Sequence, residues 1–375
     1  MSNKGGKMQI SVYQTKGRDS AEVVEKIRQQ YDSQKPRVVI VFSSSRYEPE
    51  PLIAGLGKVF PGADVVGCST AGEIISGQML TDSVVVMALG KDIAADAAVG
   101  IIENVSGKMA VAQAFGNIES HFNMPLNMLD IEKYVGIILT DGLCMAEERL
   151  MERIGDLTDL MFIGGSAGDD FKFEKTWVYA NGKVYTDASV LLVLHVPAGF
   201  DILKTQSVCT MNKILKATCV NESEREVIAF DHKPAALKYA ELLGVKVEEI
   251  ADCFMSNPLG LMVDNEPYIR SPFRLKDNDI VFSCNIKEGM ELTLLQTGDI
   301  VADTKAALDA KCKLLGNIRG IINFHCILRT HELTRKNQTD AYGALFKDIP
   351  TIGFSTYGEA YIGHMNQTST MLLFR

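Results

Sequence analysis

Apolar runs and polar punctuation follow one another along this chain in an order that recurs. Residues 37–43, RVVIVFS, are continuous and β-branched, bounded by Pro36 and a serine cluster, and predict a buried strand. Leu52, Ile53, Leu56, Val59 and Phe60 then fall at helical spacing, and Pro61-Gly62 ends that helix. ADVVG (63–67) predicts a short strand, CSTAGE a polar turn and TDSVVVMAL (81–89) another strand. A second round predicts a helix over 107–122, with Val111, Phe115, Ile118 and Phe122 on one face. It continues with a strand in YVGIILTDG (134–142) and a helix over 145–161 carrying Leu150, Met151, Ile154, Leu157 and Met161. LMFIGGSAGDD (160–170), KTWVYANGKVYTD (175–187) and SVLLVLHV (189–196) follow, with Asn181-Gly182 as a hairpin signal. A third round reads RGIINFHC (319–326) as a strand, DAYGALFKD (340–348) as a short helix, TIGFSTYGE (351–359) as the turn and TSTMLLF (368–374) as the last strand.

The recurrence gives meaning to a repeated phrase. GCSTAGE (67–73) returns as GFSTYGE (353–359) with five of seven letters identical, and GGSAGD (164–169) is a shortened copy. Each copy falls at the turn of one strand–helix–strand–turn–strand unit. Between the second and third rounds the pattern changes. ILKATCVNESEREVIAF (214–230) predicts a hairpin, KPAALKYAELLG (233–244) a helix, and 268–303 is rich in strands and turns. The expected fold is therefore α+β or mixed α/β, with layered sheets in two domains. Residues 1–30 form an extension that begins with a frayed tail, MSNKGGK, and the domains cover 31–205 and 206–375.

Composition narrows the partners. The net charge is −9 and the Lys and Arg residues are scattered, which argues against nucleic acid and against an anionic membrane surface. No segment reaches the run of about 18 apolar residues that a membrane helix needs, and no secretory signal opens the chain. None of the eight cysteines is paired as C-x-x-C, so reduced thiols in a cytoplasmic protein are expected.

A turn needs glycine and small polar residues, but it does not need a carboxylate. An acid nevertheless stands in all three copies, as Glu73, Asp169 and Glu359. With Ser69, Thr70, Ser166, Ser355, Thr356 and Tyr357 these acids are candidates for a ligand site at strand ends, where hydroxyls, freed N–H groups and a carboxylate can meet a small molecule. Asp141 and Arg329 join them, each just after an apolar strand. Helix capping is the competing explanation for Asp141, and Arg329 needs a carboxylate from Glu359 or from a ligand. Catalysis by Ser69, Ser166 or Cys144 is the less favoured reading. GGSAG matches G-x-S-x-G, but the nucleophile elbow must open a helix and DDFKFEKTWVY reads as a strand. No metal-ligand spacing is present, and a single-histidine haem leaves no spacing to read.

Taken together, VVGCSTAGEI, ILTDG, FIGGSAGDDF, HKPAALKYAELLG, NFHCILRT, IGFSTYGE and NQTSTMLLF resemble the FIST family of bacterial sensory proteins, over nearly all of residues 30–375. The resemblance implies a FIST N domain over 31–205 and a FIST C domain over 206–375. It also implies small-ligand sensing in intracellular signal transduction, with amino acids as the usual ligand class. With no kinase or receptor segment after residue 375, the expectation is a stand-alone sensor, not an enzyme, that signals to a separate partner protein. Haem-binding nitric-oxide sensors that regulate histidine kinases are similar to it, which makes haem the alternative ligand. His364, His331 and His325, in that order, are then the axial candidates.

Overall fold

The computed structural model describes residues 10–31 and 35–375, so the MSNKGGK tail lies outside the described residues. The chain forms two compact units. Of the described residues, the larger comprises 10–31, 35–204, 305–363 and 369–375, and the smaller comprises 205–304 and 364–368. The stretch 206–375, read from the sequence as one domain, is thus divided between them.

The larger unit is built from three copies of one supersecondary element. In the first, strands Val38–Ser44 and Asp64–Thr70 are parallel across helix Pro49–Val59, and Val84–Leu89 returns antiparallel to Val38–Ser44. In the second, Tyr134–Thr140 and Phe162–Ser166 are parallel across helix Glu147–Gly155, and Ala188–His195 returns. In the third, Gly320–Cys326 and Thr351–Thr356 are parallel across helices Ile327–Arg335 and Thr339–Ala344, and Thr368–Phe374 returns. Each sheet gains a leading strand beside its returning one: Ile10–Thr15, Asp96–Glu103 and Phe200–Gln206.

The hairpins that follow the repeated phrase are exchanged in a cycle. Glu73–Ile75 of the first repeat pairs with Thr351–Thr356 of the third, and Glu359–Tyr361 of the third pairs with Phe162–Ser166 of the second. Val178–Ala180 of the second pairs with Asp64–Thr70 of the first. Asn181-Gly182 makes the expected two-residue hairpin turn, with φ of 47° and 84° as a type I′ turn demands. Each repeat's second parallel strand is therefore covered by a hairpin from another repeat and is not itself an edge strand.

Strand alternation divides the burial. Val38, Ile40 and Phe42, Ile137 and Leu139, and Ile322 and Phe324 point into one shared core, where Phe42 stands 4.5 Å from Phe354, centroid to centroid. The opposite faces pack on the repeats' own helices: Val39 and Val41 on Leu52, Ile53 and Leu56, and Ile138 on Leu150 and Ile154. Burying each such side chain stabilises the fold by about 1.5–3 kcal/mol. Two predicted helices are shorter than their periodicity. The 145–161 helix ends at Gly155, leaving Leu157 exposed, and the 107–122 helix begins at Val111 after a turn closed by Gly107 N–H on the Asn104 carbonyl.

The smaller unit is an antiparallel sheet. Its strand order is Glu266–Arg270, Leu259–Val263, Glu291–Thr297, Val208–Asn221, Glu226–Phe230, Asp279–Phe282 and Pro272–Lys276. Helix Ala235–Leu243 covers it, with Ala236, Tyr239 and Ala240 packed among Leu215, Val227, Phe230 and Leu292.

Candidate functional site

The phrase spans the end of one strand, a two-residue turn and the start of the next strand. Its first glycine is dictated by close approach. A Cβ on Gly67, Gly164 or Gly353 would stand 1.9, 1.7 or 2.2 Å from the carbonyl oxygen of Val41, Ile138 or Asn323 on the parallel neighbour. The second glycine differs: Gly72 has φ of 127°, a conformation that favours glycine.

The three turns interlock through the backbone of their serines. Ser69 N–H donates to the Trp177 carbonyl at 2.9 Å and Ser69 O accepts from Gly168 N–H at 3.0 Å. Ser166 N–H donates to Gly358 O at 2.8 Å and Ser166 O accepts from Tyr357 N–H at 3.2 Å. Ser355 N–H donates to Gly72 O at 2.8 Å and Ser355 O accepts from Ala71 N–H at 3.3 Å. Each turn is thus held by the next repeat. Thr356 Oγ1 reinforces this by donating to the carbonyls of Ser166 and Gly358, both at 2.8 Å.

The acids do different work in each copy. Glu73 is fully buried and accepts from Ser83 N–H at 3.1 Å; its two oxygens lie 2.5 Å from the hydroxyls of Thr70 and Ser83. Burial outweighs those hydrogen bonds and pushes its pKa up to about 8. Asp169 folds the loop after it, accepting from the N–H groups of Phe173, Glu174 and Lys175 and from the Tyr357 hydroxyl at 2.5 Å. Burial alone would raise its pKa, but those donors hold it below the ordinary carboxylate value. Glu359 is fully buried and engaged with neighbouring groups. Asp141 does not cap a helix. The helix begins at Glu147 with Ala146 as its cap residue, and Asp141 instead accepts from Leu143 N–H, Asp187 N–H and the Thr176 hydroxyl.

The loop held by Asp169 presents Phe171 and Phe173 at left-handed φ of 61° and 52°, each 45% exposed. Phe173 stacks on Tyr357 at 5.0 Å, and Phe171 stands edge-on to His331 at 6.0 Å.

A comparison of the three repeats isolates one position. Ser43, Thr140 and His325 occupy equivalent places, opposite Ser69, Ser166 and Ser355 in the parallel register. Ser43 Oγ lies 3.0 Å from the Tyr179 hydroxyl, and Thr140 Oγ1 accepts from Ser189 at 2.9 Å. His325 is fully buried, and neither ring nitrogen has a hydrogen-bond partner among the described residues. Its ring lies 4.5 Å from that of Tyr342. Burial, followed by the nearby Arg329 guanidinium, lowers its pKa well below the usual value, so the imidazole is neutral. Beneath it lies a closed ring of hydrogen bonds: Asn323 donates to Tyr342 (3.2 Å), Tyr342 to Ser369 (3.2 Å) and Ser369 to Asn323 (2.7 Å). Beside it Ser355 and Thr330 share one hydroxyl hydrogen bond of 2.7 Å, and Arg329 is buried in the first turn of Ile327–Arg335. Asn323, Thr330, Tyr342 and Ser369 were not singled out from the sequence, although Asn323 and His325 alternate visibly in an otherwise apolar strand.

The three alternative axial histidines lie in different surroundings. His364 belongs to the smaller unit, with Nε2 3.4 Å from the Ser283 carbonyl oxygen, and His331 is exposed on its helix. An axial histidine faces an apolar slot as wide as a porphyrin, whereas His325 faces the Tyr342 ring and the Arg329 guanidinium, polar surroundings that do not fit haem. Nor do the candidate nucleophiles fit hydrolysis. Ser166 ends a strand, donates to Glu147 at 3.1 Å and is followed by the loop to Val178–Ala180 instead of a helix. Ser69 is fully buried and accepts from Trp177 N–H, and burial raises the Cys144 thiol pKa.

The scaffold is an α+β fold of interlocked repeats with polar strand ends and an antiparallel unit set into the chain. The chain belongs to the FIST family: the FIST N domain matches residues 37–233 and the FIST C domain residues 235–361. FIST is a family of sensory domains, not of enzymes. The C-terminal match starts in the smaller unit and runs through the third repeat of the larger one. The chain is also 24% identical over 314 residues to uncharacterized protein MJ1623 of Methanocaldococcus jannaschii, covering 78% of this chain and 60% of the relative's length. No helix among the described residues is long and apolar enough to cross a membrane, and none of their His, Cys, Asp and Glu side chains gather in threes as metal ligands.

Proposed function

We propose that this protein is a small-molecule sensor whose ligand binds at the strand ends of the third repeat, among His325, Arg329, Thr330 and Ser355, and that the occupied state is passed to a separate signalling protein. The observation that carries this reading is His325. A buried polar group without a partner costs about 1–3 kcal/mol, and the equivalent positions in the other two repeats avoid that cost. Retaining it only in the third repeat is understandable if a ligand supplies the missing partner. Tyr357 and Glu359 follow Ser355 in the same turn, and Tyr357 stacks on Phe173 of the aromatic loop and bonds Asp169.

The test is a thermal-shift panel of amino acids, small carboxylates, sugars and nucleosides on the wild type, His325→Leu and Ser43→Ala. At least one compound should raise the melting temperature of the wild type and of Ser43→Ala, and leave His325→Leu unmoved. A shift of the same size in His325→Leu removes the third repeat from consideration.

A further inference from the structure

Two rings of the kind that fill a core are held out in solvent by a braced loop. Phe171 and Phe173 are each 45% exposed, and Asp170, Phe171 and Phe173 have left-handed φ of 58°, 61° and 52°. Bulky side chains rarely adopt that conformation unless their surroundings impose it. Asp169 imposes it by accepting from the N–H groups of Phe173, Glu174 and Lys175, and the Tyr357 hydroxyl accepts from Phe171 N–H at 2.9 Å. The Asp170 carboxylate accepts from the hydroxyls of Ser44 at 3.1 Å and Ser45 at 2.7 Å. A fixed backbone therefore exposes the rings.

The apolar patch extends beyond the loop. Phe173 stacks on Tyr357, and Phe171 stands edge-on to His331. A Cβ on Gly142 would stand 3.2 Å from the Tyr357 ring, and Met145, in the same loop as Gly142, is 50% exposed. Most charges that face solvent around the patch are positive, although the chain as a whole carries −9. Lys172 donates to Ser45 at 2.9 Å, and exposed Arg46 is the next residue after that serine. Lys175 stands 5.7 Å above the Trp177 ring, and exposed Arg335 lies one turn beyond His331 on helix Ile327–Arg335. Asp169 and Asp170 are turned onto their donors, which leaves Glu174 as the outward acid of the loop.

We infer that this patch docks an acidic segment of the partner protein. Apolar side chains of that segment rest on Phe171 and Phe173, and its carboxylates meet Lys172, Lys175, Arg46 and Arg335. Aromatic residues, methionine and arginine are the side chains enriched at protein interfaces, and an exposed apolar patch with a polar rim marks one. The inference rests on the reading that the chain signals to a separate protein, and it names the surface where that protein is met. Tyr357, in the turn that carries Ser355, ties the patch to the third repeat.

Random peptides are the probe, since they are free to choose any surface. A display library of peptides of about twelve residues, long enough to cross such a patch, is selected on the wild-type protein and its binders are measured by fluorescence anisotropy. Enriched peptides should be acidic and carry aromatic or aliphatic residues. Their affinity should fall about tenfold or more in Phe171→Ser/Phe173→Ser, as when interface anchors are removed. It should fall likewise in Lys172→Glu/Lys175→Glu, and in the wild type at about 0.5 M salt, where exposed charges are screened. Both variants alter exposed side chains, so their circular dichroism and melting temperatures should match the wild type. Neutral or basic peptides, peptides that bind the phenylalanine variant as tightly, or a library without binders overturn the assignment. Dimerisation of the wild type that the phenylalanine variant abolishes overturns it in favour of a second copy of this chain. Flotation with anionic vesicles that the same variant abolishes overturns it in favour of a lipid surface. The thermal-shift panel does not depend on these residues, so the ligand site stands or falls on its own result.

Discussion

Glutamine in place of Glu73 should separate a neutral buried acid from an ionised one. Glu73 is fully buried and its pKa is pushed up to about 8, from an ordinary 4.5. The folded chain therefore keeps a proton that the unfolded chain has already released above pH 4.5. The stability this group contributes is full below the unfolded value and is lost progressively as pH rises toward 8. Between pH 6 and pH 8 the loss amounts to about 2 kcal/mol, taking 1.36 kcal/mol per pKa unit and allowing for half-titration at the upper end. Oε2 accepts from Ser83 N–H, and Oε1 lies at hydrogen-bond distance from the Thr70 hydroxyl. Gln reproduces both roles, with its carbonyl toward Ser83 and its amide toward Thr70. If Gln matches the protonated acid, urea denaturation of Glu73→Gln at pH 6, 7 and 8 should find it about 2 kcal/mol more stable than the wild type at pH 6, since the wild type has by then lost about 1.36 kcal/mol for each pH unit above 4.5. Its pH slope from 6 to 8 should be shallower by about 2 kcal/mol. A variant destabilised at every pH with an unchanged slope would show that the carboxylate is ionised in the fold, and the reasoning would be wrong.

Other substitutions probe the frame and the site. Gly164→Ala would set a Cβ 1.7 Å from the Ile138 carbonyl oxygen, and should cost about 3 kcal/mol or more or abolish soluble expression, read by yield and chemical denaturation. Asp169→Asn removes the charge that gathers Phe173, Glu174, Lys175 and Tyr357; cleavage by trypsin at Lys172 and chymotrypsin at Phe171 should quicken while the melting temperature falls only slightly. His325→Leu removes an unpartnered polar group from a fully buried position, so the ligand-free protein should be unchanged or more stable by about 1–2 kcal/mol in urea. A clear loss of stability there would mean that His325 is a structural residue.

The fold was largely legible because it is written in local patterns. Strand runs such as RVVIVFS, IILT and IINF and the helical spacing of Leu52, Ile53 and Leu56 gave the elements, and the repeated phrase gave their recurrence. The exchange of hairpins was not legible, since pairing Glu73 with Phe354 or Tyr179 with Gly67 depends on partners more than a hundred residues away. Nor did composition tell a flexible glycine from a crowded one: Gly72 and Gly67 look alike in sequence, yet one answers a backbone angle and the other a neighbouring carbonyl. The polar pair Asn323 and His325 could have been noticed, since alternation puts both on the face that Val41 and Ser43 occupy in the first repeat. Their partners could not. Thr330, Tyr342 and Ser369 reach that face from two helices and the returning strand, and nothing local to NFHC announces them.

The central claim is that His325 is held in reserve for a ligand, and imidazole nitrogen NMR addresses it directly. The protein, labelled with nitrogen-15 histidine, is titrated with whichever panel compound raises the wild-type melting temperature most, and the His325 signals are assigned by their absence in His325→Leu. The account predicts a neutral imidazole without ligand, and a large, saturable change in its nitrogen and N–H shifts that tracks the thermal stabilisation, as expected when a buried ring gains hydrogen bonds. His325 signals that stay fixed while the compound binds and stabilises the protein would place the ligand elsewhere and contradict the account.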